Sequence, residues 1–193
     1  MAQPKLREGK VYRTEYFRRF DKNPTRFASK LVNRGDLQRL RKGLYHVPRP
    51  SAFGEVPPSE SELLSAFVRG RRYLRTGPSV WNALGLGTTG VEAVPLVYNT
   101  TQTGEVELDG RRFEFRRVSF PRDPDPEYFV VDLLENTERA GVDRATVQKA
   151  LSRALAVGRF DSGRLLAAAR QYGSRATERL VRKAIHGEHS AAA

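Results

Sequence analysis

The sequence predicts an α+β chain, with a basic N-terminal region of short helices and a hairpin, a small mixed sheet in the middle and a helical bundle at the end. Three observations lead there. Capped helical patterns occupy residues 23–35 and return after residue 143. Apolar segments broken by Gly-containing turns fill much of the interval. Charge is uneven: residues 1–50 hold 14 Lys and Arg against 4 Asp and Glu, residues 51–142 hold 10 against 14, and residues 143–193 hold 10 against 4, within a net +12.

Asn23-Pro24 opens the first clear helix. Asn caps an N-terminus through its side-chain oxygen, and Pro suits the first helical position, where its missing N–H would be unpaired anyway. Gly35 stops the helix as a left-handed residue. Phe27, Ala28, Leu31 and Val32 form one buried stripe, and Arg26, Ser29, Lys30 and Asn33 the opposite face, with Thr25 at its start. An Arg there can reach guanine O6 and N7, and an Asn adenine N6 and N7, in a major groove. An ordinary solvated helix has the same pattern. Its neighbours narrow the choice: Thr14 is placed to cap a short helix over 15–20, and residues 36–47 read as a hairpin turning at Arg41-Lys42-Gly43. Two short helices and a basic hairpin make a winged helix-turn-helix, with Arg39, Arg41 and Lys42 on phosphates or in the minor groove. Residues 1–10 leave little room for a first helix, so that helix is either vestigial or upstream.

Four Pro between Val47 and Pro58 mark a stiff linker over 50–58, separating a DNA-binding domain over 1–49 from a second domain over 59–193. In the second domain, Ser59 and Glu62 form a capping box. A strand then leads into Thr76-Gly77, and Pro78 begins a helix burying Trp81 and Leu84. That turn could cradle a phosphate, but it has neither the P-loop Lys nor GxGxxG. Residues 94–98 read as a strand. Residues 105–108 and 112–118 form a hairpin about Asp109-Gly110, and Tyr128–Val131 reads as a buried strand running into Asp132-Leu133-Leu134. The predicted sheet thus spans 73–134. Asp143, Asp161 and Ser174 cap three helices that end by residue 186. Arg164, Arg175, Arg179, Arg182 and Lys183 make a possible second basic strip for DNA or an acidic partner, with solvated helix faces as the plain alternative.

The composition sets further bounds. A chain of 193 residues with 39% hydrophobic residues supports a packed core in one or two domains. No run of about 20 apolar residues spans a bilayer, and the N-terminus lacks an apolar leader, so the expectation is a cytoplasmic protein. Zero Cys fits a reducing compartment and excludes thiolate metal sites. His46, His186 and His189 are too scattered for zinc, so neither metal nor cofactor is predicted. Asp109, Glu114 and Arg116 loosely resemble the acid set of metal-dependent nucleases, though Asp109 lies in a turn and Arg stands where Lys is usual. With no triad or kinase signature, a binding protein is favoured over an enzyme.

The stretch Leu31-Val32-Asn33-Arg34-Gly35-Asp36-Leu37, with Arg41-Lys42-Gly43-Leu44-Tyr45-His46-Val47-Pro48, resembles the winged-helix end of AbiEi-type antitoxins. Residues 74–86, carrying Thr76-Gly77, Trp81-Asn82 and Leu84-Gly85-Leu86, are similar to the start of that family's second domain, and Asp132-Leu133-Leu134 extends the likeness. The resemblance implies the antitoxin of a bacterial type IV toxin–antitoxin pair in phage defence, encoded beside a nucleotidyltransferase-like AbiEii toxin. It further implies a winged helix that represses the pair's own promoter and a second domain that provides antitoxicity. It supplies no catalytic or metal residue. The rival expectation is a module that docks RNA or an acidic protein without duplex specificity.

Overall fold

The chemistry that starts and stops helix α1 (Pro24–Asn33) is local and complete. The computed structural model describes residues 4–191, with side chains through residue 187. At the start of α1, Asn23 Oδ1 accepts from the Arg26 backbone N–H at 3.1 Å. At its end, Gly35 (φ 80°) donates to the Val32 carbonyl at 3.0 Å and Asp36 to the Leu31 carbonyl at 3.0 Å, which is a Schellman motif. Ahead of it run β1 (Val11–Arg13) and a 3₁₀ turn (Thr14–Arg19). Thr14 does not cap this turn as expected: Arg13 holds the cap position without a side-chain bond, and the Thr14 N–H donates to the Gly43 carbonyl at 3.1 Å.

After α1 come β2 (Gln38–Arg41) and β3 (Leu44–His46), an antiparallel hairpin whose partner on the far side is β1, in the order β1-β3-β2. Every residue of β3 is buried. Because alternate strand residues point to opposite faces, both faces of this small sheet are covered. Tyr45 faces a core of Phe17, Ala28, Leu31, Leu37 and Val47. Rings lock the 3₁₀ turn onto β3 and α1: Phe17 meets Tyr45 of β3 edge-on at 6.0 Å, and Phe20, just after the turn, stacks on Phe27 of α1 at 6.2 Å.

The expected linker over 50–58 is instead mostly a second hairpin, β4 (Arg49–Ser51) with β5 (Gly54–Val56), because Gly54 (φ 108°) lets the chain reverse. Next come α2 (Glu60–Phe67), capped by Ser59 as expected, then β6 (Tyr73–Thr76), α3 (Pro78–Ala83) and β7 (Leu96–Asn99). The hairpin β8 (Gly104–Leu108) and β9 (Arg111–Arg117) turns at Asp109 (φ 53°) and Gly110 (φ 70°), the paired positive φ of a type I′ turn. Phe113 and Phe115 are buried together on one face of it.

Residues 126–135 are a helix, α4 (Pro126–Glu135), not the predicted strand, so the sheet region ends at Arg117 rather than 134. Asp125 Oδ1 accepts from the Tyr128 N–H at 2.8 Å and Pro126 takes the first position. Seven of the ten residues of α4 are buried, so the helix shows no polar face to give it a readable period. Helices α5 (Arg144–Ala156), α6 (Ser162–Tyr172) and α7 (Arg175–Ala191) follow. Their caps are Asp143, Asp161 and Ser174, and α7 runs past the expected end at 186.

Two compact units result. The first comprises residues 1–73 and 99–115, the second residues 74–98 and 116–193. The first therefore includes α2 and the β8–β9 hairpin, which the sequence had placed in the second domain. In the second, α4 to α7 pack around a core holding Trp81, Leu86, Leu96, Leu133, Leu151, Leu165 and Val181. Among the described residues, helices mix with several small sheets, and no helix is long and apolar enough to cross a membrane.

Candidate nucleic-acid interface

Much of the basic charge in the first unit is used internally. Lys10 pairs with Glu62, Arg13 with Glu15 at 3.3 Å, and Arg34 with Asp36 at 2.6 Å. Arg13 also donates to the Ala66 and Phe67 carbonyls. What remains free is informative. Arg26 and Lys30 on α1, Arg39 on β2 and Lys42 at the hairpin tip are exposed and form no ion pair among the described residues.

The expected readers Thr25, Arg26, Ser29, Lys30 and Asn33 all lie exposed on α1, opposite the buried Ala28 and Leu31. Ser29 is partly committed, since its hydroxyl donates to the Thr25 carbonyl at 3.0 Å and keeps only acceptor capacity outward. Arg39, Arg41 and Lys42 are exposed along the hairpin. A register irregularity between Arg39 and Arg41 turns Arg41 aside, and its guanidinium lies 5.2 Å from the Phe67 ring centroid. Arg41, the last β2 residue before the turn, is thus engaged in a cation–π contact. Sequence reading missed Arg19, which lies 4.6 Å over the Tyr16 ring.

Beneath the hairpin, His46 is fully buried and neither ring nitrogen has a partner. Burial pushes the imidazole below its ordinary range, and the negative charges of Asp109 and Glu55 only partly offset this. The unfolded chain therefore binds the proton more tightly than the native one, and stability is lost as pH falls below 6.5. His46→Leu is expected to remove that acid-side loss, checked by comparing urea midpoints at pH 7.5 and pH 5.

In the second unit, Arg164 lies 3.3 Å from Glu127, and Arg182 lies 2.7 Å from Glu178, which also takes Arg170 at 3.3 Å. Arg175, Arg179 and Lys183 are exposed without an ion pair among the described residues, so the possible second strip is partly neutralised. The structure also joins motifs that the sequence showed only separately. Asp132, 5% exposed, accepts from Thr76 Oγ1, from Trp81 Nε1 at 2.8 Å, from the Tyr98 hydroxyl at 2.6 Å and from Asn136 Nδ2 at 3.2 Å. Arg116 donates to Asn136 Oδ1 at 3.0 Å. Burial raises the Asp132 carboxyl above its ordinary range even though its hydrogen bonds favour the charged form. A cavity of about 250 Å³ adjoins this network, bounded by Tyr98, Tyr128, Glu135 and Tyr172.

Two alternatives lose ground on geometry. At the Thr76-Gly77-Pro78 turn, a Cβ on Gly77 would lie 2.6 Å from Glu92 Oε1, and the other oxygen of that carboxylate, Oε2, is paired to Arg75 at 2.5 Å. The place a phosphate would take holds a negative charge. Asp109 sits in a turn and Glu114 is the fourth residue of β9, about 10 Å of extended chain beyond Arg111. Among the described residues no three His, Asp or Glu side chains converge to hold a metal ion. His186 is exposed on α7, while the side chain of His189 lies outside the described residues. Compared with models of known protein families and with curated proteins, the chain matches none.

Proposed function

We propose that this chain is a repressor of the AbiEi antitoxin type that binds DNA upstream of its own gene through α1 and the β2–β3 hairpin. The observation that carries the reading is the set of five exposed cations without ion pairs among the described residues, Arg26, Lys30, Arg39, Arg41 and Lys42, on one helix and the hairpin that follows it. The order β1, 3₁₀ turn, α1, β2, β3, with sheet order β1-β3-β2, is what a winged helix has once its first helix is removed. In this reading α1 enters the major groove and Lys42 at the wing tip meets phosphate. The second unit, built on the Asp132 network, serves antitoxicity toward a nucleotidyltransferase-like toxin, and the protein acts in the bacterial cytoplasm.

The test is binding to the DNA upstream of this gene and to a scrambled duplex of equal length, each at two salt concentrations. A preference of about 10³-fold or more supports the repressor. Equal, steeply salt-dependent binding to both duplexes rejects it in favour of a module that docks RNA or an acidic protein. Lys42→Ala is expected to weaken binding to both duplexes alike and to lower the slope of log affinity against log salt by about 0.9, the share of one phosphate contact. An unchanged slope removes Lys42 from the interface.

A further inference from the structure

The hairpin β4–β5 has no part in the reading above. Arg49 pairs with Val56, Pro50 with Glu55 and Ser51 with Gly54, leaving Ala52 and Phe53 at the tip. Phe53 is 102% exposed, so its ring touches nothing in the chain. The tip is nevertheless held. Ser51 Oγ accepts from the Phe53 backbone N–H at 3.2 Å and donates to the Gly54 carbonyl at 2.7 Å. A bare aromatic ring on a braced turn is displayed in advance, so little ordering entropy is lost when it meets a partner.

Within the first unit, Pro50 and Glu55 of this hairpin line the same groove, about 860 Å³, as Phe27 and Lys30 of α1 and Arg34 just past its end. The hairpin thus stands across a groove from one flank of α1, the flank of Phe27, Lys30 and Leu31. The groove also holds Glu8, Asp21, Asp36 and Glu55. These acids, Glu55 on the hairpin itself among them, disfavour phosphate within the groove, so a duplex lying on α1 would meet the hairpin at its uncharged tip, Ala52 and Phe53. A duplex lying on α1 by its major groove offers the flanking hairpin its adjacent minor groove, where apolar side chains part base steps and kink the helix axis.

We propose that Phe53 is a wedge that inserts between base pairs in the minor groove beside the site read by α1 and bends the duplex. The proposal rests on the DNA-binding reading. The ring supplies stacking and no charge, so it acts on affinity and DNA shape but not on counterion release.

The experiment compares the wild-type chain with Phe53→Ala and Phe53→Trp, using the duplex upstream of this gene and its scrambled counterpart. It measures affinity at two salt concentrations and bending by circular-permutation gel shift. Because Phe53 touches nothing, both variants should keep the wild-type melting temperature. Phe53→Ala is expected to lose about tenfold in affinity, to keep the salt slope and to lose the bend. Phe53→Trp is expected to keep the bend, and its indole emission is quenched on binding, against a constant background from the fully buried Trp81. If Phe53→Ala binds and bends DNA as the wild type does, the wedge is overturned while the DNA reading stands, and the ring is left for a protein surface. If the wild type binds neither duplex, both readings fall together.

Discussion

Replacing Asp132 with alanine is expected to destabilise the second unit by about 1–3 kcal/mol for each buried donor it strands. A carboxylate offers about four lone-pair sites, and here Thr76, Trp81, Tyr98 and Asn136 donate to all of them. Alanine would leave the buried Thr76, Trp81 and Tyr98 donors without this acceptor, whereas Asn136 Nδ2 keeps the residue-132 backbone carbonyl at 2.8 Å and the Tyr98 hydroxyl at 3.0 Å. Orphaned donors cost more than the net worth of the bonds they made. Asp132→Asn keeps the volume but turns one acceptor into a donor, and should cost about 1–3 kcal/mol. Urea denaturation followed by Trp81 fluorescence reads both, and a wild-type midpoint for Asp132→Ala would show the network to be dispensable. The pH dependence has a definite sign. Burial raises the native carboxyl above its unfolded value of 3.8, so the native state holds this proton more tightly. The contribution is full below 3.8 and is lost as pH rises through the raised native value. His46 acts the opposite way, its stability lost as pH falls.

The double substitution Arg26→Ala with Asn33→Ala is expected to erase the preference for the upstream duplex over a scrambled one, a loss of about 2–6 kcal/mol if each side chain reads one base. The two residues stand seven apart on one face of α1, about 10.5 Å along the axis, which matches about three base-pair steps at 3.4 Å each. Both are exposed. The α1 cap is made by the Arg26 backbone N–H rather than its guanidinium, so truncation leaves the cap intact. The melting temperature should therefore hold while specificity is lost. If the variant still prefers the upstream duplex, α1 is not the reading element, and the β2–β3 hairpin or the second unit becomes the place to look.

What could be read from the sequence follows the range of the interactions involved. Helix α1 was legible because Asn23, Pro24 and Gly35 act on backbone atoms within five residues of themselves. The Asp109-Gly110 turn was legible for the same reason. Helix α4 was misread because Tyr128 to Leu134 are nearly all apolar and buried, so no polar face betrays a period. The Asp125-Pro126 pair was the one local signal that could have revealed it, being the chemistry already recognised at Asn23-Pro24. Thr76, Trp81 and Asp132 each stand out in the sequence, but the bonds that tie Thr76, Trp81 and Tyr98 to Asp132 cross 34–56 positions, where spacing carries no information. The exposed cations of α1 and the hairpin were legible as a set. Which basic residues would be consumed internally was not, because Lys10 and Arg13 find their partners on α2, more than fifty positions on.

The first unit leaves the chain at residue 73 and takes it back for residues 99–115 before giving it up again. No single cut in the gene can therefore lift that unit out whole. A fragment ending at residue 73 lacks Leu108, Phe113 and Phe115, and bares Phe67, whose ring lies 4.9 Å from that of Phe115. Insolubility of such a fragment would report a torn core and say nothing about whether the basic face works. The same threading limits how the unit can be exchanged in evolution: a crossover that brings in a new basic helix and hairpin also has to bring a matching insert at residues 99–115, so the two units travel as one heritable piece.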